Sequence, residues 1–344
     1  MRTLRGHTSV GPVIRSGIQH RGLRPFDPGR DLAGVADLIE VAFGEHLDPL
    51  GRSALTEMRR VARYGWPLWG IVHPFKNSLR PAPGFVWVED GRIVGNVSLR
   101  RAYGWGGLLV GNVAVHPDYQ RRGIGTTLME RALSEVSMLR GRWVGLEVRS
   151  DNDAARRLYE GFGFQSVGEK VCLLRPAGLV QEYVDQTPYH VRRGRSEDGR
   201  AILGLVRTTI PDVQRAMLEF RESDYILGWE RALDCWLEGK REIWWIAETQ
   251  GMIVGALRTV RERNRRPNRM EFVAHPQYRG RVEQDLIYHG LECLQKSSHK
   301  LIEIYLVNAG SATETAFEQS GFFRSQVLVQ MRLSLEHRIT VCPR

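Results

Sequence analysis

Gln120, Arg121, Arg122, Gly123, Ile124 and Gly125 stand at a junction in the chain. The stretch before them, "VAVHPDY", begins as an apolar strand, and the stretch after them, "TTLMERAL", has the spacing of an amphipathic helix. The first turn of a helix has amide groups with no partner inside the helix. Their dipoles point at whatever lies in front of them. Two glycines let the backbone come close to a ligand and adopt conformations closed to other residues. Such a junction suits an anion, a phosphate above all. The pattern is not a Walker loop, and it lacks the third glycine of a dinucleotide fingerprint. A lone G-x-G before a helix also serves as a plain turn.

The elements around the junction follow from periodicity. Residues 30–43 predict a helix with Leu32, Val35, Leu38, Ile39 and Ala42 on one face, and residues 53–63 predict a second. Residues 84–102 predict a hairpin turned at Asp90-Gly91, a dipeptide suited to the tight primed turns. A strand over 108–115 leads into the basic loop. The helix beyond it, ending near Leu139, carries an apolar stripe of Leu128, Ala132, Leu133, Val136 and Leu139. A strand over 143–149, a helix over 152–161 and a strand near 167–174 follow. Strand alternation sets Glu147 on the face opposite Leu146 and Val148.

The same order recurs in the second half. "EDGRIVGNVSL" from Glu89 resembles "TQGMIVGALRT" from Thr249, "VHPDYQRR" from Val115 resembles "AHPQYRGR" from Ala274, and "LYEGFGFQS" from Leu158 resembles "AFEQSGFFR" from Ala316. Three matches in one order at nearly constant spacing imply one fold used twice. The predicted organisation is a basic arm over 1–20, a first domain over 21–176, a linker over 177–189 and a second domain over 190–344.

Composition sets the outer limits. The chain has 344 residues, enough for two domains of ordinary size, with 42% hydrophobic and 26% charged residues as in a soluble globular protein. No apolar run is long enough to span a membrane, and the basic first residues lack the apolar core of a secretory leader. Cys172, Cys235, Cys293 and Cys342 have no metal-ligand spacing and read as free thiols in a reducing cytoplasm. The ten histidines form no metal motif. A net charge of +10 favours anionic partners, but the densest run, "VRERNRRPNRM", has no interleaved aromatics and reads as a solvated loop rather than a nucleic-acid surface.

Q-R-R-G-I-G after "VAVHPDY" resembles the acetyl-CoA signature of the GNAT superfamily of N-acetyltransferases, Q/R-x-x-G-x-G/A. "LEVRSDNDAARRLYEGFGF" (146–164) resembles the second signature of that family, N-x-x-A-x-x-L-Y-x-x-x-G-F. The resemblance covers about residues 21–175, with a weaker copy beyond. It implies an α/β fold class: two tandem GNAT folds, each a mixed central sheet flanked by helices, the second copy degenerate. It implies acetyl-CoA as cosubstrate, its pyrophosphate on the loop residues Gln120, Arg121, Arg122, Gly123, Ile124, Gly125 and Thr126. Val113, Ala114 and Val115 would run beside the pantetheine arm. Asn152 and Ala155 would face that arm from the other side, although Asn152 also suits a helix N-cap.

Acetyl transfer to an amine requires a base for the amine and is helped by an acid for the departing thiolate. The resemblance puts Tyr159 in the acid role. Glu147 precedes Tyr159 by 12 residues, a spacing similar to that of the base and acid in ribosomal-protein alanine N-acetyltransferases. Glu147 could instead pair with a neighbouring arginine, the base then lying elsewhere. In the second half, Glu283 and Asp285 fall near the helix start, where they would satisfy the helix N-terminus and repel a phosphate. Tyr305, Gly310 and Phe317 stand at the places of Glu147, Asn152 and Tyr159. That half reads as a degenerate copy that shapes or buttresses the first, the other reading being a changed loop that still holds an acyl-CoA. Trp66, Trp69, His73 and Phe75 could wall an acceptor pocket or contact the second domain. The acceptor stays open: a protein N-terminus, a lysine or a small amine. So does the alternative that the chain senses acyl-CoA without turnover, and so does the oligomeric state.

Overall fold

A computed structural model describes residues 21–44, 47, 49–64, 84–102, 106–178, 188–218, 220–263, 266–295 and 300–335. The basic arm, the aromatic stretch with Trp66, Trp69, His73 and Phe75, and most of the linker lie outside them. The first half runs β1 (Arg21–Pro25), α1 (Pro28–Phe43), α2 (Pro49–Tyr64), β2 (Gly84–Glu89), β3 (Arg92–Arg101), β4 (Gly107–Val115), α3 (Ile124–Met138), β5 (Trp143–Arg149), α4 (Asp153–Gly161) and β6 (Gln165–Arg175). The second runs β7 (His190–Arg193), α5 (Gly199–Thr209), α6 (Asp212–Met217), α7 (Trp229–Leu237), β8 (Lys240–Thr249), β9 (Met252–Glu262), β10 (Asn268–Ala274), α8 (Glu283–Gln295), β11 (Ile302–Val307), α9 (Ser311–Gln319) and β12 (Phe323–Ser334).

The predicted elements form where their periodicity places them. Asp27 caps α1 by accepting from the Gly29 amide, Pro28 opens the helix, and Val35, Ala36, Leu38 and Ile39 are buried. Asp90 and Gly91 both have positive φ, as the primed hairpin turn requires, and Gln250 and Gly251 repeat the turn in the second half. Leu128, Ala132 and Val136 of α3 are buried against the sheet, with Leu133 and Leu139 at the margin. A further repeat was not evident in the sequence. Arg24 pairs with buried Asp31 in the first half, and Arg192 pairs with buried Asp198 in the second.

All twelve strands form one sheet, in the order β1-β2-β3-β4-β5-β12-β6-β11-β10-β9-β8-β7. Each half gives its last strand to the other. β12 pairs antiparallel with β5, β6 pairs antiparallel with β11, and β6 and β12 pair with each other in the middle. The ranges 21–176 and 190–344 therefore describe repeats in sequence, while the hydrogen-bonded sheet crosses between them. At the centre, Gly168 has φ +157, and an added Cβ would lie 1.7 Å from Nε2 of the fully buried Gln214 on α6. Only glycine allows that approach. On the same side, Met217 and Ala216 of α6 pack on Leu109 and Trp143 of the first half.

The exchange makes a prediction about the halves in isolation. Residues 21–176 alone would leave the β5 edge open and β6 without β11 and β12. Size-exclusion chromatography and thermal unfolding of that fragment should show aggregates or strand-exchanged dimers. A cooperative, folded monomer would show that β6 can return to β5 within its own half.

Candidate active site

β4 and β5 are parallel and paired only from Gly107 opposite Trp143 to Val110 opposite Leu146. β4 continues to Val115 and β5 to Arg149, so the strands part beyond the last pair. The cause lies in β4. Its register with β3 shifts between Asn96 and Ser98, and Asn112 takes φ +52. Such a bulge bends the strand that carries it. The Asn96 amide donates to the Asn112 carbonyl at 2.8 Å, and the Ser98 hydroxyl donates to the Gly111 carbonyl at 2.8 Å. Sequence reasoning missed all three of Asn96, Ser98 and Asn112. The tolerance of asparagine for a left-handed backbone was the available signal.

Between the parted strands lies a cavity of about 220 Å³. Asn112 and Val113 line it from β4, Glu147 from β5, and Asn152, Ala155 and Tyr159 from the turn and helix that follow. Five of the residues singled out in the sequence thus meet around one space. Gln326 and Leu328 complete the lining from β12 of the other half, a contribution that no local motif carried.

The basic loop lies beside this cleft. Gly123 has φ +79 and caps α3, so a residue with a side chain would be strained there. The first helical bond runs from the Thr127 amide to the Gly123 carbonyl. Among the described residues, the amides from Arg121 to Thr126 have no backbone acceptor. Gln120 donates its side-chain amide to the Val115 carbonyl at 3.3 Å. Arg122 folds back to the Asp118 carbonyl and stacks over Tyr119. Ile124 and Ala114 are buried, so only their backbones can face a ligand. A Cβ on Gly125 would lie 3.6 Å from Leu158 and 3.8 Å from Val115, which ties the loop to α4 and to the end of β4.

Asn152 does cap α4, its Oδ1 accepting from the Ala155 amide at 3.1 Å. Tyr159 is buried, its ring tilted against Phe164. No hydrogen bond reaches its hydroxyl among the described residues. Burial pushes its pKa up to about 12, so at neutral pH it holds a proton that it can donate. Glu147 faces away from the buried Leu146 and Val148, as alternation requires. Pairing with an arginine was the alternative to its base role, and Arg100 of β3 does interact with it electrostatically. Its closest contacts are with Lys170 of β6, Nζ to Oε2 at 2.6 Å, and with Gln330 of β12, which donates to Oε1 at 3.0 Å. Both partners come from the two exchanged strands.

The second half closes what the first leaves open. Val282 takes the place of Gly123, and its amide donates to the Glu283 carboxylate at 3.2 Å. Thr313 donates to the other oxygen of that carboxylate at 2.6 Å. Glu283 and Asp285 are both buried. The helix N-terminus is answered from within the chain, and the added negative charge repels a phosphate. Phe317, in the place of Tyr159, is fully buried between Phe272 and Phe322. Among the described residues, no group of His, Cys, Asp and Glu could hold a metal ion.

Residues 82–166 match the family model of the GNAT acetyltransferase domain. Over 53 residues the chain is 47% identical to the ribosomal protein bS18-alanine N-acetyltransferase of Escherichia coli K12, covering 15% of this chain and 36% of that one. Over 69 residues it is 46% identical to the N-alpha-acetyltransferase RimI of Mycobacterium tuberculosis, covering 20% of this chain and 42% of that one. The matched stretches are thus less than half the length of these relatives. Across nearly the whole chain, the fold is similar to a GCN5-related N-acetyltransferase from Sphaerobacter thermophilus, with a TM-score of 0.62, 17% identity and coverage of 92% of this chain and 96% of that one. It is also similar to a tandem GNAT protein from the clavulanic acid biosynthesis pathway, with a TM-score of 0.57, 15% identity and coverage of 91% and 98%. The fold is a tandem GNAT fold, and the chain carries a GNAT acetyltransferase domain in its first half.

The raised pKa of Tyr159 has a measurable sign. The unfolded phenol ionises near pH 10, and the folded one only near 12. Its contribution to stability is present below pH 10 and is lost as pH rises toward 12. Tyr159→Phe should therefore reduce the alkaline fall in thermal midpoint over that window. Burial pushes Tyr225 up as well, so the variant keeps part of the fall. An identical alkaline profile in variant and wild type would contradict the burial of the phenol.

Proposed function

We propose that the first half is an acetyl-CoA-dependent N-acetyltransferase that works by direct attack of an amine within a ternary complex. The observation that carries this reading is the row of amides from Arg121 to Thr126, left without backbone acceptors beside the cleft that holds Tyr159 and Glu147. These amides suit the pyrophosphate of coenzyme A. The β4 edge from Gly111 to Val115, where no strand of β5 pairs with it, suits the pantetheine arm. Gln120, Arg122 and Asn152 frame that path, and Ala155 borders the cleft.

The bound cosubstrate supplies an activated acetyl thioester, and the chain supplies the proton transfers. Glu147 takes the proton from the attacking ammonium, directly or through one water. Lys170 and Gln330 hold its carboxylate in place and leave lone pairs free toward the cleft. Tyr159, protonated at neutral pH, delivers its proton to the departing thiolate. One relative is named a ribosomal protein bS18-alanine N-acetyltransferase and the other an N-alpha-acetyltransferase, which puts a protein N-terminal amine first among the acceptors to be screened. The screen reads thiol release from acetyl-CoA against peptides, lysine side chains and small amines. Cofactor binding without thiol release on any amine would favour a sensing module.

Two variants separate the roles. Tyr159→Phe should lower turnover by roughly two orders of magnitude and leave acetyl-CoA affinity nearly unchanged. Glu147→Gln should slow the reaction most at low pH, where the amine is protonated, and a wild-type rate at every pH would place the base elsewhere.

Calorimetry tests the cradle. Gly125 has only ordinary contacts around its missing Cβ, so Gly125→Val should fold normally while its side chain blocks the approach of the pyrophosphate. Wild type should bind one acetyl-CoA per chain and this variant none. Two equivalents in wild type, with one surviving in the variant, would make the second half a working cofactor site.

A further inference from the structure

The parting of strands occurs a second time. β10 and β11 are parallel and paired only from Asn268 opposite Ile302 to Met270 opposite Ile304, while β10 runs on to Ala274 and β11 to Val307. A cavity of about 290 Å³ opens between them, with Asp224 and Tyr225 in its wall. The chain that supplies these two residues continues into α7, and α7 turns its apolar residues away from the body of the protein.

Arg231 and Cys235 hold the helix in place. Cys235 is its one buried residue, and Arg231 pairs with Asp224 at 3.3 Å and with Glu242 at 2.9 Å. On the opposite side lie Trp229, Leu233, Trp236 and Leu237, within about 100° of arc at 3.6 residues per turn. Trp229 is 75% exposed and Trp236 59%, and Leu233, Leu237 and the preceding Ile226 are exposed as well. Of the nine large apolar side chains exposed among the described residues, these are five. Exposed apolar residues scattered singly need no cause, but a contiguous patch with two tryptophans marks an interface. The steps of four and three from Trp229 to Leu233 to Trp236 are those of a seam between two helices. α7 has nine residues and no side-chain cap, and a helix so short is marginal without packing on its apolar face.

Area and charge both fit a second copy of the same helix. A whole aromatic side chain offers roughly 150–250 Å², so the five exposed side chains together offer on the order of 500 Å². Two copies face to face would bury about 1,000 Å², the lower bound for a specific interface. Glu230 is exposed near the start of α7. Arg241 and Arg263 are exposed near its end, where the Arg263 amide donates to the Gly239 carbonyl at 2.9 Å. None of these three charges has an ion-pair partner among the described residues. An antiparallel pair brings the acidic end of each helix to the basic end of the other, whereas a parallel pair sets like ends together. Asp234 and Glu238 lie farther round the helix, and Lys240 answers Glu238 at 2.6 Å.

We propose that the exposed face of α7 is a self-association surface, on which two copies of this chain meet through antiparallel α7 helices about a twofold axis near Leu233. Trp229 of each copy packs beside the partner's Leu237, and Glu230 lies toward the partner's Arg241 and Arg263. The same patch serves both copies, so the assembly closes at a dimer. Its small area makes the dimer reversible.

Analytical ultracentrifugation of the full chain over about 1–200 µM tests this. Wild type should pass from monomer to dimer and no further. Leu233→Glu and Trp229→Ser change exposed side chains, so both should fold, with thermal unfolding as the control, and both should stay monomeric over that range. Glu230→Arg should weaken the dimer about fivefold or more, and adding Arg241→Glu to it should restore the dimer to within about twofold of wild type. A wild-type monomer at every concentration would overturn the proposal, as would a dimer unchanged in both Leu233→Glu and Trp229→Ser. A double charge variant no stronger than Glu230→Arg would overturn the antiparallel arrangement. A wild-type monomer that sediments with phosphatidylcholine–phosphatidylglycerol vesicles, and loses this in Leu233→Glu, would assign the face to a lipid surface instead.

Discussion

A parallel pair of strands that parts midway leaves unsatisfied backbone groups on its inner edges, and it also needs a neighbour on the outer edge of its second strand, which in this fold comes from the other half. On the outer edge of β5 that neighbour is β12, pairing with Trp143 to Arg149. On the outer edge of β11 it is β6, pairing from Lys170 to Arg175. Because each half depends on the other for that strand, neither cleft is built by its own half alone. On the inner edge of β4 no strand answers beyond Val110. An open edge inside a fold is costly unless water or a ligand meets it, and that edge is the proposed path of the cosubstrate.

The two halves show one physical problem solved in two ways. A helix N-terminus after a strand and a turn presents free amides and a positive dipole end. In the first half, Gly123 and Gly125 keep side chains out of the way and the amides face outward. In the second, a carboxylate from Glu283 turns back onto the Val282 amide and is fixed by Thr313. The first arrangement is poised for an anion from solution. The second carries its anion in the chain, and a fully buried Phe317 stands in place of Tyr159.

The exchanged strands also bring the two clefts close to each other. Lys170 of β6 pairs with Glu147 on the side of the first cleft, lies 4.7 Å from the Tyr305 ring and lines the second cleft. Gln330 of β12 donates to Glu147 and accepts from Gln214, which in turn meets Asn308. This polar set lies where Gly168 lets α6 approach the sheet. It gives the proposed base its orientation through residues that belong to neither signature motif.

The sequence alone determined the local elements and the chemistry written in adjacent residues. Periodicity placed α1, α3 and the hairpins, and Asp90-Gly91 specified its turn, because these depend on near neighbours along the chain. The loop from Gln120 to Thr126 was legible for the same reason, as were the alternation that turns Glu147 away from the core and the repeat at a spacing near 159 residues. The bulge at Asn112 was not, since it requires Asn96 and Ser98 on the adjacent strand. The partner of Glu147 was not legible either. The arginine alternative has a counterpart in Arg100 of β3, but strand pairing also supplied Lys170 and Gln330, 23 and 183 residues away. The exchange of β6 and β12 was hidden because a strand's pattern tells which face is apolar but not which edge it joins. The tertiary structure alone decided that choice, through long-range backbone hydrogen bonds, and with it the second cleft between β10 and β11.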